Sequence, residues 1–366
     1  MWDKQNRISR RDMLRLAALG ALSAFVAACQ RAVAPVTSAP AAGGTAPAPA
    51  PTKQVFSQGA PPASEPPVAN GVPITSNDDF YTVAYRDDEP PQIPPNWKLV
   101  LTGQVDRPVS LSIDDIKAMP PVTQMRTLEC ISNPVGGDLI SNAGWKGIRL
   151  KDLLAQAGVK SGVKELKLES FDGYSTAIPL KLGMDEDSLL VYEMNGEPLP
   201  AIHGAPLRCL WPGHYGMKQP KWIQTITAIT EAYAGYWEKQ GWSDDASIRP
   251  FSRIDAPQDL ASISGSQFTL SGIAFTGAAG LARLEVSWDD ATEWHAAELT
   301  RGPSPYVWTL WKWTGPALSA GRHQIFARAT TQSGAMQVRG QAFNLLGGTF
   351  PNGTADMQSI VLDFKA

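Results

Sequence analysis

Residues 126–137 read Arg-Thr-Leu-Glu-Cys-Ile-Ser-Asn-Pro-Val-Gly-Gly. The run from Met125 to Cys130 has the pattern of a strand, and the Pro- and Gly-containing stretch after it has the composition of a loop. Cys130 thus stands where a strand opens into a loop, a place suited to metal ligation or nucleophilic chemistry. The same pattern also suits a small buried hydrophobe. The thiol alone leaves both readings open.

Outward from this stretch, strands outnumber helices. Asn96 to Val105 alternates as a strand, and Ser112 caps a short helix with Asp114 and Asp115 in its first turn. Trp145 to Leu150 leads into a helix from Leu150 to Ala157, which Gly158 ends. Val163 to Ser170 reads as a strand. Leu189 to Met194 reads as another, and Asn195-Gly196 closes it into a tight hairpin. A short strand at Leu207 to Leu210 and a longer one at Trp222 to Tyr233 follow. This is an α+β domain on mixed or antiparallel sheets, over about residues 73–255. Beyond it, Phe268 to Phe275, Leu281 to Trp288, Trp294 to Leu299, Val307 to Trp313, Gly321 to Ala329 and Met336 to Phe343 recur as short strands between turns. That spacing predicts a β-sandwich over 256–366.

The N-terminus reads as an address. Arg10-Arg11 precedes an apolar stretch, Leu16 to Ala28, that is short for a membrane span. The paired arginines resemble a Tat export signal, although a generic basic leader shares the feature. Val26-Ala27-Ala28-Cys29 resembles a lipoprotein cleavage box, which places residues 1–29 as a signal peptide and a lipid on Cys29. Residues 30–72 are rich in Ala, Pro, Thr and Ser and read as an unfolded tether. The net charge of −3 gives no support to nucleic-acid binding. Three cysteines are too few for a disulfide scaffold. Twelve tryptophans call for large cores or a lined pocket.

Two further stretches carry chemistry. His203-Gly204-Ala205-Pro206-Leu207-Arg208 and Pro212 to Trp222 flank one short strand with loops broken by Gly and Pro. Such loops let backbone N–H groups approach a phosphate while Arg supplies a fork of donors. Lys218 alone reads as part of a solvated basic loop. Arg208, inside an apolar strand, does not. Cys130, His203, Cys209 and His214 lack the spacing of a zinc site; Cys130 with Cys209 is a candidate disulfide, while the position of Cys209 inside the strand Leu207 to Leu210 reads as a buried, inert thiol.

Taken in order, these residues resemble the sulfite oxidase family of molybdopterin enzymes. The resemblance rests on Thr-Leu-Glu-Cys at 127–130, on Asn142 to Gly147 followed by Leu150-Lys151-Asp152-Leu153-Leu154, on Tyr192 to Pro200, and on Ile202 to Trp222. It implies a molybdopterin domain followed by an immunoglobulin-like dimerisation domain, hence a homodimer. It implies that Cys130 ligates molybdenum through its thiolate. It also implies that Asp78, Tyr81, Thr82, Ser170, His203, Arg208, Gln219, Pro220 and Lys221 hold molybdopterin. The sulfite oxidases carry an arginine in the segment matching Phe80 to Ala84, and this chain has none there. The Phe80-Tyr81 form is closer to the periplasmic methionine-sulfoxide reductase catalytic subunit. Aligning Trp237 with a family tryptophan puts Trp242 at the position of the active-site tyrosine, so Trp242 joins Cys130 as a candidate catalytic residue. A shifted loop would give that role to Tyr236 or Arg249 instead. The implied activity is oxygen-atom transfer on a small substrate, outside the cytoplasm. No haem or iron–sulfur cysteine motif is present, so electrons would be exchanged with a separate carrier, a cytochrome or a quinone-linked membrane subunit. The alternative is a surface-anchored binding protein that keeps the fold without the cofactor.

Overall fold

The computed structural model describes residues 71–86, 89–340 and 348–365. The signal peptide expected at 1–29, Cys29, and the tether as far as residue 70 lie outside the described residues.

The strands of the first half are β1 (Leu99–Gly103), β2 (Val109–Leu111), β3 (Val122–Glu129), β4 (Ile140–Arg149), β5 (Glu165–Ser170), β6 (Ser175–Pro179), β7 (Leu189–Met194), β8 (Glu197–Pro198), β9 (Arg208–Leu210) and β10 (Ile223–Ile229). One mixed sheet has the order β2-β1-β10-β5-β6, with β1 and β10 parallel. A second runs β3-β4-β7-β8, and β9 pairs with β7. The inner strands of the second sheet, β4 and β7, are largely buried on both faces. Along β7 the side chains alternate, as period two demands. Leu190 and Tyr192 face the core shared with β1, β5 and β10, and Leu189 and Val191 face a core with Phe80, Leu128 and Trp145; a register shift against β4 between Val191 and Glu193 then turns Met194 to the same side as Val191. That is why Leu189 to Met194 reads as a near-continuous apolar run.

Local chemistry sets the connections. Ser112 caps the helix Ile113–Lys117 in a reciprocal capping box with Asp115. The helix Leu150–Ala157 continues directly from β4 and ends at Gly158, whose φ of 68° is left-handed. Asn195 and Gly196, with φ of 55° and 81°, close the β7–β8 hairpin, where both central residues need positive φ. The strand expected over Trp222 to Tyr233 is shorter. Trp222 has φ of 52° and its indole donates to the Ala201 carbonyl, so the strand begins only at Ile223.

The second half contains β11 (Phe251–Ala256), β12 (Ser262–Ile263), β13 (Gln267–Phe275), β14 (Leu281–Trp288), β15 (His295–Ala296), β16 (Glu298–Thr300), β17 (Thr309–Pro316), β18 (Gly321–Thr331) and β19 (Gln358–Phe364). They form two sheets, β11-β13-β17-β16 and β12-β19-β18-β14-β15. Leu270, Leu284, Trp311, Ile325 and Leu362 close one core between them. Three expectations are corrected. Trp294 to Leu299 is not one strand: β15 pairs with β14 and β16 with β17, so the chain changes sheets at Ala297. The described part of Met336 to Phe343 makes only isolated bridges. The partner of β18 is instead β19, which the periodicity reading passes over.

Candidate functional site

Cys130 is the first residue after β3, and its backbone is pinned to the loop it opens. Its N–H donates to the Leu139 carbonyl and its own carbonyl accepts from the Asn133 N–H, both at 2.9 Å. The Asn133 side chain ties the loop from within. Its amide donates to Glu129 at 3.0 Å and its oxygen accepts from the Leu139 N–H at 3.0 Å. Cys130 Sγ lies 3.1 Å from the Ser132 hydroxyl. No disulfide joins Cys130 and Cys209, which corrects the candidate pairing and agrees with the reading of Cys209 as a buried, inert thiol. Cys209 is fully buried, and burial pushes its thiol well up.

Tyrosines surround Cys130. Burial raises Tyr81, Tyr174 and Tyr215, and a Cys130 thiolate adds to the shift of each, so all three stand within electrostatic reach of the sulfur. Tyr174 donates to the Met217 carbonyl at 2.6 Å. Tyr174 and Tyr215 escaped sequence reasoning, because their own loops carry no signal that they converge on Cys130. Beside the sulfur, burial pushes the Glu129 carboxyl up to about 8, against the hydrogen bond from Asn133.

Tyr81 also stands within electrostatic reach of Arg208, whose charge opposes the shift of the phenol. Arg208 is buried in β9 with its guanidinium 5.2 Å from the Trp145 ring centre. One nitrogen donates to the His203 carbonyl at 3.0 Å, and Nε has no partner. Among the described residues no carboxylate pairs with Arg208. A buried cation without a counter-ion is costly. An anion arriving from solvent would relieve that cost, and it would find Lys221 in the same wall. Lys221 and Arg208 both approach Gly204 so closely that a Cβ there would meet each at 3.0 Å. His203 Nε2 lies 2.7 Å from the Asn77 carbonyl and must donate to it, which leaves Nδ1 as an acceptor. Burial pulls its pKa down to about 4, so the ring is neutral.

The remaining expected residues fall around this group with different roles. Ser170 ends β5 opposite Ile223, buried, and its hydroxyl has no partner. Asp78 and Thr82 are exposed on the segment that carries Tyr81. Asn195 anchors that segment through its amide, which donates to the Thr75 carbonyl at 2.9 Å and to Asn77 at 2.8 Å. Gln219 is turned inward: its oxygen accepts from the Trp211 N–H at 2.9 Å and its amide donates to the His214 carbonyl at 2.6 Å. Its side chain is therefore spent on the fold. Pro220 is buried and accepts from the Cys209 N–H. Trp242 is half-buried against the cluster of Ile131, Tyr215 and Met217, of which Ile131 follows Cys130 in the chain. Lys218 is not solvated. It is buried, and it pairs with Glu238 at 2.6 Å and Asp244 at 2.8 Å. Its loop position conceals this, because both partners lie further along the chain.

The donor set fits a molybdopterin: a soft sulfur at a strand end, a buried guanidinium without a carboxylate partner, a buried hydroxyl without a hydrogen bond, and a histidine acceptor. Residues 87–237 match the oxidoreductase molybdopterin binding domain, and residues 251–351 match the Mo-co oxidoreductase dimerisation domain. An uncharacterized oxidoreductase of Bacillus subtilis (strain 168), YuiH, is 37% identical over 146 residues, covering 40% of this chain and 72% of that protein. This chain belongs to the sulfite oxidase family of molybdopterin oxidoreductases. Human mitochondrial sulfite oxidase is 31% identical over 301 residues, covering 69% of this chain and 54% of that protein. The chain thus spans about half the length of the mitochondrial sulfite oxidases it matches. The sulfane dehydrogenase SoxCD of Paracoccus pantotrophus shares the fold, with a TM-score of 0.63 at 21% identity over 74% of this chain and 78% of that one. Molybdopterin carrying molybdenum is accordingly the cofactor of this family member.

Proposed function

We propose that this chain is an extracytoplasmic oxidoreductase that moves an oxygen atom to or from a small substrate and exchanges electrons with a separate carrier. The observation that carries the reading is the buried Arg208, without a carboxylate partner and with a bare Nε, in electrostatic reach of the same Tyr81 that Cys130 reaches. Molybdenum held by the pterin supplies the two-electron couple that oxygen-atom transfer needs. The chain's residues do the rest. Cys130 offers the thiolate ligand, and Arg208 with Lys221 binds the pterin's phosphate. Neutral His203 and the Ser170 hydroxyl orient the pterin, and Asp78, Tyr81, Thr82 and the backbone of Gln219 and Pro220 border it. Trp242 offers an indole N–H toward the substrate.

The composition of Phe80 to Tyr85 favours a neutral or sulfoxide-like substrate over sulfite, with the Arg249 charge, which reaches Tyr215, as the opposing feature. A small dianion needs fixed positive charge at the reacting centre, and the segment from Phe80 to Tyr85 supplies none. The remaining parts of the reading are an exported, lipid-anchored chain with a signal over 1–29 and a tether over 30–72. Its catalytic domain spans 73–255, and an immunoglobulin-like sandwich over 256–366 mediates a homodimer. The match to a dimerisation domain supports the last part. The electron carrier would be a cytochrome or a quinone-linked membrane subunit.

The test uses protein purified from a host that makes the cofactor. Wild type should hold molybdenum and turn over methionine sulfoxide better than sulfite with an artificial electron carrier. Cys130→Ser should abolish turnover while the fold persists, because a hydroxyl is a poor soft-metal ligand. An active Cys130→Ser protein, or sulfite turnover at kcat/KM of roughly 10⁴ M⁻¹s⁻¹ or more, would overturn the respective part.

A further inference from the structure

The turn that carries Trp242 has little to hold it by itself. Its helix, Tyr236–Lys239, is four residues long, far below the length at which a helix persists unaided. The turn then closes with the Trp242 N–H on the Trp237 carbonyl at 3.1 Å. Trp237 and Trp242 nevertheless pack edge to face and lie against Ile131, Tyr215 and Met217, the wall next to Cys130. Something outside the turn must fix it there.

Lys218 is placed to do this. Its side chain is 2% exposed, and Nζ makes three hydrogen bonds, the full donor complement of an ammonium. They go to Glu238 at 2.6 Å, to Asp244 at 2.8 Å and to the Ala177 carbonyl at 2.9 Å. Glu238 and Asp244 bracket Trp242 in sequence. The Ala177 carbonyl belongs to β6, and Lys218 itself follows Met217, whose carbonyl holds Tyr174. One cation therefore ties both ends of the turn to the sheet and to the wall of the site. Glu238 is 3% exposed and also accepts from the Thr176 hydroxyl at 2.5 Å, so the inner end is anchored in a buried place. An outer hold exists as well: Ser243 N–H donates to the Pro351 carbonyl at 3.0 Å, and the Phe350 ring lies 5.2 Å from that of Trp242.

We propose that Lys218 is a positioning residue: its single ammonium staples the Tyr236–Asp245 turn at both ends and so sets Trp242 against the Cys130 site. The functional half of this inference rests on the oxidoreductase reading above; the staple itself does not.

The experiment compares Lys218→Met, Lys218→Met with Glu238→Gln, and Asp244→Asn in the full-length, cofactor-loaded chain. It reads amide hydrogen exchange over 236–246, molybdenum content, and kcat and KM for methionine sulfoxide. Lys218→Met strands a buried carboxylate, and exchange in the turn should accelerate roughly tenfold or more while β4 and β7 stay protected. The double variant removes the stranded charge and should recover global stability, yet the turn should remain fast. With molybdenum content unchanged, kcat/KM per bound metal should fall about tenfold, as for a misplaced contact. Wild-type exchange in the double variant would overturn the proposal, because Lys218 would then only neutralise Glu238. Should Lys218→Met fail to fold, Asp244→Asn decides. Faster exchange confined to 241–246 supports the staple, and no change there shows that Phe350 and Pro351 suffice. A wild-type protein without molybdenum would overturn the oxidoreductase reading, while the exchange comparison still judges the staple.

Discussion

At the scale of single residues, the site is defined by what is left unsatisfied. Arg208 keeps a bare Nε in a buried place, which a fold tolerates only where something else completes it. Arg208→Ala should weaken pterin retention by about 2 kcal/mol, roughly thirtyfold in affinity. Equal pterin content in mutant and wild type after dialysis would count against the anchor. His203 gives a pH signature in the cofactor-free protein. Burial holds the folded ring near 4, whereas the unfolded chain takes up its proton near 6.5. The unfolded state therefore binds more protons between these values, and stability falls as pH drops through that window. The contribution, on the order of 3 kcal/mol, is fully present above about pH 6.5 and lost toward pH 4. Denaturant titrations across that range should show a shallower slope for His203→Gln; an identical slope would show that His203 is not the titrating group.

Elements were legible where their rules are local. The Ser112 cap, the Gly158 stop and the Asn195-Gly196 turn each follow from a few adjacent side chains, and all three are present. Strand membership was less legible, because a pairing partner lies far along the chain. Nothing near Ala297 announces a change of sheet, and β19 earns its place only through β18. The site shows the same division. Cys130 and Arg208 stand out by their positions, whereas Lys218 finds its carboxylates 20 and 26 residues further on and Gln219 is turned inward by the fold of its own loop onto Trp211 and His214. Asn195 joins the two levels, since it closes a hairpin and also tethers the segment of Tyr81. Asn195→Gly keeps the left-handed turn but removes the hydrogen bonds to Gly144, Thr75 and Asn77. It should cost about 1–3 kcal/mol and lower cofactor occupancy. Occupancy equal to wild type would refute the tethering role.

The whole molecule adds a constraint on how the protein reaches its compartment. The residues proposed to hold the cofactor come from segments around 78–82, 130, 170 and 203–221, which meet only once both sheets of the first half have formed. An unfolded chain threaded through a membrane has no such site. Metal loading before export therefore requires a route that carries folded protein, which agrees with the reading of Arg10-Arg11 as a Tat signal. Arg10→Lys combined with Arg11→Lys keeps the charge of the leader and alters only the paired guanidinium groups. Under this reading the double variant should accumulate as a metal-loaded precursor in the cytoplasm, measured by molybdenum content and immunoblot of cytoplasmic and envelope fractions. A generic export route would instead tolerate the change, because it reads positive charge without regard to its chemistry. Delivery of metal-loaded protein to the envelope at wild-type levels by the double variant would therefore exclude Tat-dependent export.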